Sequence, residues 1–429
     1  MAPLYSLPSI DTLVARVARR EFARAMTFTS GETPVLPFLD GDGLDRLLYV
    51  HVPFCEKLCP YCSFNRVAFD EGLCRRYFTA LRKELRLYRD LHYDFRALYA
   101  GGGTPTIIME ELLETLSLAR ELFSIAEISV ETNPNHLTAE NISHLRRAGV
   151  NRLSVGIQSF DDTLLKAMGR YDKYGSGREI MERLNTASGR FDTLNADMIF
   201  NFPRQEEASL RRDIAMLLDS RIDQITWYPL MVSDSTRRAV ARTLGEVPFG
   251  REMRFYDIIV EGLRGEYGFS SAWCFSRKKS MIDEYIVDYT EYAGLGSGSI
   301  GYLQGRCYAN TFDIVAYIHH LEKGHLPLMA SRTFGRDDLV RYELIMRLFG
   351  GRLDLGPTLS RHGKRALVPL AASIIPFALA GGLRYRKGAL VPTRRGRYYW
   401  VVLMREFFTA VNNFRDYCRE EATREVCHG

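Results

Sequence analysis

The sequence is poor in cysteine and contains no long apolar run. Only 8 of the 429 residues are cysteines, and no run of about 18 uninterrupted apolar residues occurs. The opening segment, MAPLYSLPSIDTLVARVARR, lacks the basic region followed by an apolar region that directs secretion. These absences disfavour a disulfide framework and a membrane-spanning protein, so we expect a cytoplasmic globular protein.

The chain also lacks a strong excess of one charge. Its formal net charge is +5, and basic residues are scattered except for an enrichment at 384–396. This balance predicts no nucleic-acid partner, although the basic segment leaves a local anionic partner open. Because a single core stops growing near ~250–300 residues, the length predicts a large domain with at least one appended module.

What the sequence does contain is a cluster of three cysteines. Cys55, Cys59 and Cys62 lie in YVHVPFCEKLCPYCSF, directly after an apolar, β-branched run. A structural zinc site normally needs four ligands, and the sequence has no second CxxC pair. Three thiolates spaced C-x3-C-x2-C instead suit a [4Fe–4S] cluster in which one iron has no protein ligand. That open iron would accept a substrate or a cofactor.

Short apolar runs alternate with helical patterns through the first half of the chain. This alternation predicts a parallel sheet with covering helices. Polar residues follow each run, at the edge where parallel barrels place their sites. The predicted strands are 46–53, 97–100, 127–131, 152–157, 195–200 and 224–230, and the predicted helices include 72–90, 110–123, 138–148 and 206–219.

The cysteine motif, with the aromatic Tyr61 before its last cysteine, resembles the signature of radical S-adenosylmethionine (SAM) enzymes. Its surroundings resemble the subgroup around oxygen-independent coproporphyrinogen III oxidase. Four further motifs follow in the order of that subgroup: YAGGGTPT (99–106), VETNP (130–134), RLSVGIQSF (152–160) and ADMIFNFP (196–203). The resemblance is strong over residues 45–330 and weak elsewhere.

This resemblance implies an α/β fold, a partial (β/α)6 barrel followed by a C-terminal winged-helix-like α+β domain. We assign an N-terminal extension to 1–44, the barrel with its glycine-rich bridge to 45–310 and the winged-helix-like cap to 311–429. The bridge is GLGSGSIG, residues 294–301. The implied cofactors are a [4Fe–4S] cluster on the three cysteines and two SAM molecules per chain.

Glycines after the second predicted strand allow two interpretations. They either form a tight turn or let a ligand approach the backbone closely. By resemblance, Gly102, Gly103 and Thr104 hold the amino-acid end of SAM. Glu131 is either a surface carboxylate at a strand tip or, as the resemblance implies, the partner of the α-ammonium of SAM.

Four residues later in the chain match further cofactor contacts. An amide such as Gln158 can both donate to and accept from a ribose hydroxyl. Arg170 is either a helix-end arginine or, by resemblance, the group that binds the SAM carboxylate. Asp197 interrupts an apolar strand, where an unpaired charge is costly, so we expect a second ribose as its partner. Ile199 lies on the same strand face and corresponds to a backbone contact with SAM.

Three aromatic positions complete the predicted site. Tyr49 and His51 share the inward face of the first strand and correspond to positions that line the cofactor, although His51 could also be a core residue. Tyr61 belongs to the cysteine motif and is assigned to the same cofactor site.

The resemblance implies that the cluster reduces SAM and releases a 5′-deoxyadenosyl radical, after which three reactions compete. They are oxidative decarboxylation of a propionate, methylation of an sp2 carbon by a second SAM, and anaerobic opening of the heme ring. A heme chaperone is a fourth alternative, but SMIDEYIVDYTEY lacks the histidine of the chaperone motif HNxxYW. Because SRKKSMIDEYI does not match the oxidase, we expect a methyltransferase for an aromatic or quinone-like substrate, with the tetrapyrrole reactions as the alternative.

The expected partners follow from this chemistry. They are a small-molecule substrate and a reducing donor such as flavodoxin or ferredoxin, and we expect a monomer. The amphipathic, aromatic segment 397–415 either docks onto the barrel or contacts a membrane or a lipophilic substrate.

Overall fold

The structure is a computed structural model that describes residues 10–25, 35–39 and 43–428. Its strands fall into one 12-stranded sheet, a three-stranded sheet and a two-stranded sheet. The strands are β1 (Arg46–Val52), β2 (Phe54–Cys55), β3 (Val67–Ala68), β4 (Ala97–Gly102), β5 (Glu127–Thr132), β6 (Arg152–Gln158), β7 (Thr193–Phe200), β8 (Gln224–Pro229), β9 (Gly268–Phe269), β10 (Cys274–Ser276), β11 (Glu291–Leu295), β12 (Ile300–Leu303), β13 (Arg306–Asn310), β14 (Leu328–Thr333), β15 (Leu353–Asp354), β16 (Leu383–Arg386) and β17 (Ala389–Pro392).

Helices cover the sheet and build the C-terminal module. Several begin at side-chain caps, for example Asp70, which accepts from the Leu73 backbone N–H at the start of the second helix. The helices are α1 (Ile10–Ala25), α2 (Glu71–Asp90), α3 (Met109–Leu122), α4 (Ala139–Arg147), α5 (Asp162–Ala167), α6 (Tyr171–Tyr174), α7 (Gly177–Ala187), α8 (Glu207–Asp219), α9 (Asp234–Thr243), α10 (Glu252–Gly262), α11 (Ile314–Glu322), α12 (Arg336–Phe349), α13 (Leu355–His362), α14 (Leu367–Leu379) and α15 (Arg394–His428).

The large sheet contains the six predicted parallel strands in sequence order. β1, β4, β5, β6, β7 and β8 are neighbours, and each pairs in parallel with the next. Such strands are buried on both faces, which explains why they are nearly continuous apolar runs. The carboxyl ends of the six strands therefore lie along one edge of the sheet, and the partial α/β barrel expected from the sequence is confirmed.

The sheet continues beyond the barrel strands. β11 pairs in parallel with the free side of β1, and β12, β13 and β14 add to it in antiparallel order. The glycine-rich bridge connects β11 to β12, and its Gly296 N–H donates to the buried Glu84 carboxylate at 2.8 Å. The three-part domain division remains a proposal, and this sheet extends to Thr333, past the predicted boundary at 310.

The C-terminal module has the element order of a winged helix. α12 is followed by β15, α13, α14 and the hairpin β16–β17, and the three strands form the sheet β15–β17–β16. The long α15 packs against α1, and its Tyr398, Trp400 and Met404 are buried. The aromatic helix expected at 397–415 therefore docks against the protein rather than presenting these side chains outward. No helix among the described residues is long and apolar enough to cross a membrane.

Candidate functional site

A cavity of about 560 Å³ lies at the carboxyl ends of the barrel strands and reaches the C-terminal helices. Every strand of the barrel contributes to its lining, and the cysteine loop after β1 lies in the same cavity. The sequence-predicted residues that line it are Tyr49, Cys55, Cys59, Tyr61, Cys62, Gly102, Gly103, Thr104, Glu131, Gln158, Arg170, Asp197 and Ile199.

The three cysteines of the loop are free thiols held by neighbouring polar groups. Thr104 Oγ1 donates to Cys55 Sγ at 3.9 Å, and Arg66 donates to the backbone carbonyls of Cys59 and Cys62 at 2.6 and 2.9 Å. Burial raises the pKa of Cys55 to about 11 and also raises that of Cys62. The raised pKa values favour the protonated forms of Cys55 and Cys62 without a metal, and metal binding would displace these protons.

The glycines after β4 are required by the packing of the protein itself. Gly102 has φ of +114°, and a Cβ there would approach the His51 ring to 2.6 Å. A Cβ on Gly103 would lie 2.6 Å from the Phe54 carbonyl oxygen and 3.0 Å from Cys55 Sγ. Gly102 is required by its positive φ and by the His51 ring of β1, and Gly103 is required because the β4 loop crosses directly over the start of the cysteine loop. This close crossing brings the glycine backbone and the thiols into one cavity.

Glu131 is a half-buried carboxylate near the end of β5, and it has hydrogen-bond donors but no ion-pair partner among the described residues. Its carboxylate accepts from Tyr99 Oη at 2.8 Å and from the Gly102 N–H at 3.0 Å. Burial, followed by the nearby charge of Asp283, raises the pKa of Glu131 to about 7. A cation bound in the cavity would favour the ionised form of this side chain.

Sequence reasoning missed Asp283, which lies in the unmatched segment before the glycine-rich bridge. Its carboxylate pairs with Arg152 at 2.8 Å and accepts from the hydroxyls of Tyr99 and Tyr228 at 2.5 and 3.0 Å. Burial opposes its ionisation, but the Arg152 guanidinium outweighs burial and holds the pKa of Asp283 below its usual range. A lone Asp in a loop carries no sequence signal, whereas Arg152 in an apolar strand signals a buried partner.

Asp197 belongs to the same network. It accepts from Ser154 Oγ and Asn195 Nδ2, at 2.7 and 2.8 Å, and shares a hydrogen bond with Asp283. Burial, followed by the neighbouring Asp283 charge, raises the pKa of Asp197, which favours its protonated form. The charge that we expected to require a ligand is therefore compensated within the protein, although Asp197 still lines the cavity.

Gln158 is the last residue of β6, and Arg170 lies beyond the end of that strand. Gln158 has φ of +75°, at an irregularity in the pairing of β6 with β7. Non-glycine residues in this conformation are strained and gather at functional sites. Arg170 Nη2 donates to the Gly156 carbonyl at 2.5 Å and Nη1 lies 3.8 Å from Cys59 Sγ, while its buried Nε has no hydrogen-bond partner. This arginine thus connects the cysteine loop with the cavity.

The sequence predicts that Tyr49 and His51, on the same face of β1, both line the cofactor site. In the structure His51 does not line the cavity. Its ring is buried between Tyr49 Oη at 2.9 Å and the Asn65 carbonyl at 2.8 Å. Desolvation lowers the pKa of His51 to about 3, so the ring is neutral. His51 orients Tyr49, and Tyr49 alone faces the cavity.

The helices of the C-terminal module add two arginines to the lining. Arg341 from α12 and Arg415 from α15 line the cavity, together with Phe407 and Phe408. Arg415 is 9% exposed; its Nη1 donates to Asn412 Oδ1 at 3.0 Å, and its Nε has no hydrogen-bond partner. Among the described residues no carboxylate pairs with it. A buried guanidinium of this kind is costly unless an anion binds beside it.

The residues present fit a cluster better than a single metal ion. No three His, Cys, Asp or Glu side chains within the described ranges are close enough together to hold one ion. An iron–sulfur cluster instead binds each thiolate on a separate iron, which suits three thiols spread along one cavity wall. Arg170 Nε, which has no hydrogen-bond partner, and the Glu131 carboxylate, which has no ion-pair partner among the described residues, offer one anion site and one cation site beside the thiols, as the zwitterionic end of SAM requires.

Comparisons with known proteins agree with this geometry. Residues 49–217 match the Radical SAM superfamily. The chain is 30% identical to the heme chaperone HemW of Lactococcus lactis subsp. lactis (strain IL1403), over 63% of this chain and 73% of that protein. It is 29% identical to an anaerobilin synthase of Escherichia coli O157:H7, over 82% of both chains. It is 27% identical to an oxygen-independent coproporphyrinogen III oxidase of Bradyrhizobium diazoefficiens, over 83% of this chain and 85% of that protein.

A solved structure shows the same fold. Coproporphyrinogen III oxidase (HemN) from Escherichia coli superimposes with a TM-score of 0.72 over 90% of this chain and 93% of that chain, at 22% identity. The family implies a [4Fe–4S] cluster and SAM as cofactors. From the motifs, the cavity and these relatives, we conclude that the chain belongs to the radical SAM superfamily, in the subgroup that contains HemN and HemW.

Proposed function

We propose that this protein is a radical SAM enzyme that acts on a carboxylate-bearing tetrapyrrole. Its relatives named for an activity are an anaerobilin synthase and a coproporphyrinogen III oxidase, and both align over most of their length. A cavity of about 560 Å³ with an aromatic lining suits a large, flat substrate. Nothing in these relatives supports the methyl transfer expected from the sequence, so the tetrapyrrole alternative takes its place.

The observation that carries this proposal is the buried Arg415. It lies on α15 and lines the cavity that Tyr49 and Tyr285 also line. Its guanidinium has a neutral amide as partner and no carboxylate among the described residues. A substrate carboxylate, such as a tetrapyrrole propionate, would supply the missing counter-charge through charge-assisted hydrogen bonds. A quinone, which has no carboxylate, would leave this charge uncompensated.

In this proposal each residue of the site has its own role. When bound, the cluster on Cys55, Cys59 and Cys62 supplies the electron that cleaves SAM. Glu131 pairs with the SAM ammonium and Arg170 with its carboxylate, while Gln158 contacts a ribose hydroxyl. Aromatic side chains from both the strands and the C-terminal helices exclude water around the reacting atoms.

Heme trafficking is a second candidate, because HemW is among the relatives. The unmatched segment argues against it. In that segment Met281 and Ile282 directly precede Asp283, and no histidine stands beside them. Among the described residues, no histidine lines the cavity. A heme iron held there would need a ligand other than imidazole.

Turnover under anaerobic conditions tests the proposal. The reconstituted enzyme is incubated with dithionite, SAM carrying a deuterated methyl group and either coproporphyrinogen III or heme, and the products are identified by mass. We expect 5′-deoxyadenosine and a modified tetrapyrrole without deuterium. A deuterated product together with S-adenosylhomocysteine would instead establish methyl transfer. Unchanged tetrapyrroles with stoichiometric heme binding would favour the chaperone.

A further inference from the structure

The outward face of α14 is an exposed apolar surface without a partner among the described residues. Val368 and Leu379 are 76% and 84% exposed, and Leu367 and Ile375 are each more than half exposed. Residues 366–383 contain no charged side chain. The inner face packs on α12, so the exposed residues are not needed to hold the module together. A patch of this kind on a protein surface marks a contact with another apolar phase or partner.

Basic residues flank this apolar face at both ends. Lys364 and Arg365 precede α14, and Arg384, Arg386 and Lys387 lie on the exposed hairpin β16–β17 that follows it. None of the five forms an ion pair with a described carboxylate. Residues 355–405 contain ten lysines and arginines and no aspartate or glutamate. An apolar face bordered by free cations matches the interface of an anionic lipid bilayer, with acyl chains at the centre and phosphate groups at the rim.

We propose that the winged-helix-like module docks on anionic membrane surfaces through the α14 surface. This surface consists of Leu367, Val368, Ile375 and Leu379 with the flanking cations just named. α14 has 13 residues, which suits a helix lying in the plane of the interface and is too short to span a bilayer. α12 lies between α14 and the cavity, to which it contributes Tyr342 and Ile345. Docking would therefore bring the cavity close to the lipid, where amphiphilic substrates gather.

Nucleic acid is the other polyanion that a winged helix could meet, and the side chains of α14 argue against it. In helix-turn-helix proteins the second helix, the position of α14, enters the major groove and reads base edges with polar side chains. Every exposed side chain of α14 is apolar. Its Ser373 hydroxyl, which is half-buried, donates to the Pro369 carbonyl at 2.9 Å. The helix can enter lipid headgroups but has no group with which to contact bases.

Vesicle flotation with the full chain tests this proposal. Phosphatidylcholine vesicles are compared with vesicles in which a third of the lipid is phosphatidylglycerol, at low and high salt. We expect binding to the anionic vesicles, and weaker binding as salt rises. Val368→Glu with Leu379→Glu should weaken the partition coefficient at least about tenfold. Arg384→Glu with Arg386→Glu and Lys387→Glu should weaken it about a hundredfold.

The matched control is Val315→Glu, because Val315 is an exposed helical valine (61%) on α11, away from this surface. It should leave flotation unchanged, and all variants should keep the circular dichroism and SAM cleavage of the wild type. Absence of flotation, equal flotation with neutral vesicles, or an unaffected Val368/Leu379 variant would overturn the proposal. The proposal would also be overturned if the wild type bound duplex DNA in a salt-sensitive way, or dimerised in solution, and the Val368/Leu379 variant abolished that binding or that dimer. None of these readouts depends on which tetrapyrrole the enzyme accepts.

Discussion

The strand side and the helix side of the cavity differ in charge. The strand side presents the half-buried carboxylates of Glu131, Asp197 and Asp283, which share a network with Arg152, and Arg170 lines the cavity beyond β6. The helix side presents Arg341 and Arg415 together with Asp338, which pairs with Arg332 of β14 at 3.1 Å, and no described carboxylate pairs with Arg415. SAM carries a sulfonium and an ammonium, whereas a tetrapyrrole carries carboxylates. The difference indicates two binding regions of opposite preference within one cavity, and each prediction below tests one side of it.

The largest effect on activity is expected at the cysteine loop, because the reaction at either side of the cavity needs the cluster that this loop would hold. Cys55→Ala, Cys59→Ala or Cys62→Ala should each abolish SAM cleavage and remove most of the bound iron, because each thiol is a primary ligand. Iron content and 5′-deoxyadenosine are measured after anaerobic reconstitution. Cys307→Ala is the matched control, since Cys307 lines the same cavity outside the loop, and it should retain the iron. Full iron content in a loop variant, or zinc in the wild type, would contradict the assignment.

The strand side should depend on Asp283 for stability as well as for charge. Asp283→Asn leaves the buried Arg152 without its counter-charge, which typically costs about 3–5 kcal/mol of unfolding free energy. Urea denaturation measures this loss. Glu110→Gln removes a carboxylate that pairs with Arg75 on the surface, and it should change the midpoint little. Equal midpoints for the two variants would show that the network contributes no more than a surface pair.

The charge state of Glu131 should make SAM binding depend on pH. Its pKa of about 7 means that the side chain is half protonated at neutral pH and mostly protonated at pH 6. Because the ionised form pairs with the SAM ammonium, affinity should increase about fivefold from pH 6 to pH 7. Equilibrium dialysis measures the affinity, and Glu131→Gln should remove the pH dependence. A wild-type affinity that is flat over this range would show that Glu131 does not pair with the ammonium.

The two sides also differ in how far the sequence predicts them. The strand side could be inferred because parallel strands are apolar runs followed by polar residues, and the six strands and the cysteine loop lie where that pattern places them. His51 was misplaced because alternation along β1 identifies a face but not whether a loop covers it. Asp283 and Arg415 were not predicted, because Asp283 lies in a segment without a recognisable pattern and the amphipathic pattern of 397–415 predicts a helix but not which of its side chains line the cavity. Their roles depend on tertiary contacts that no spacing reveals.

The most direct test of the central claim measures two ligands in two variants. Glu131→Gln and Arg415→Gln are each titrated with SAM and with coproporphyrin III, a stable carboxylate-bearing tetrapyrrole. Losing one partner of a desolvated charge pair costs about 2–5 kcal/mol, so each variant should lose at least about thirtyfold in affinity for one ligand. We predict that Glu131→Gln weakens the affinity for SAM and leaves the affinity for coproporphyrin III unchanged. Arg415→Gln should weaken the affinity for coproporphyrin III and leave the affinity for SAM unchanged. If both variants weaken both ligands equally, or neither ligand at all, the cavity does not have two regions of opposite preference.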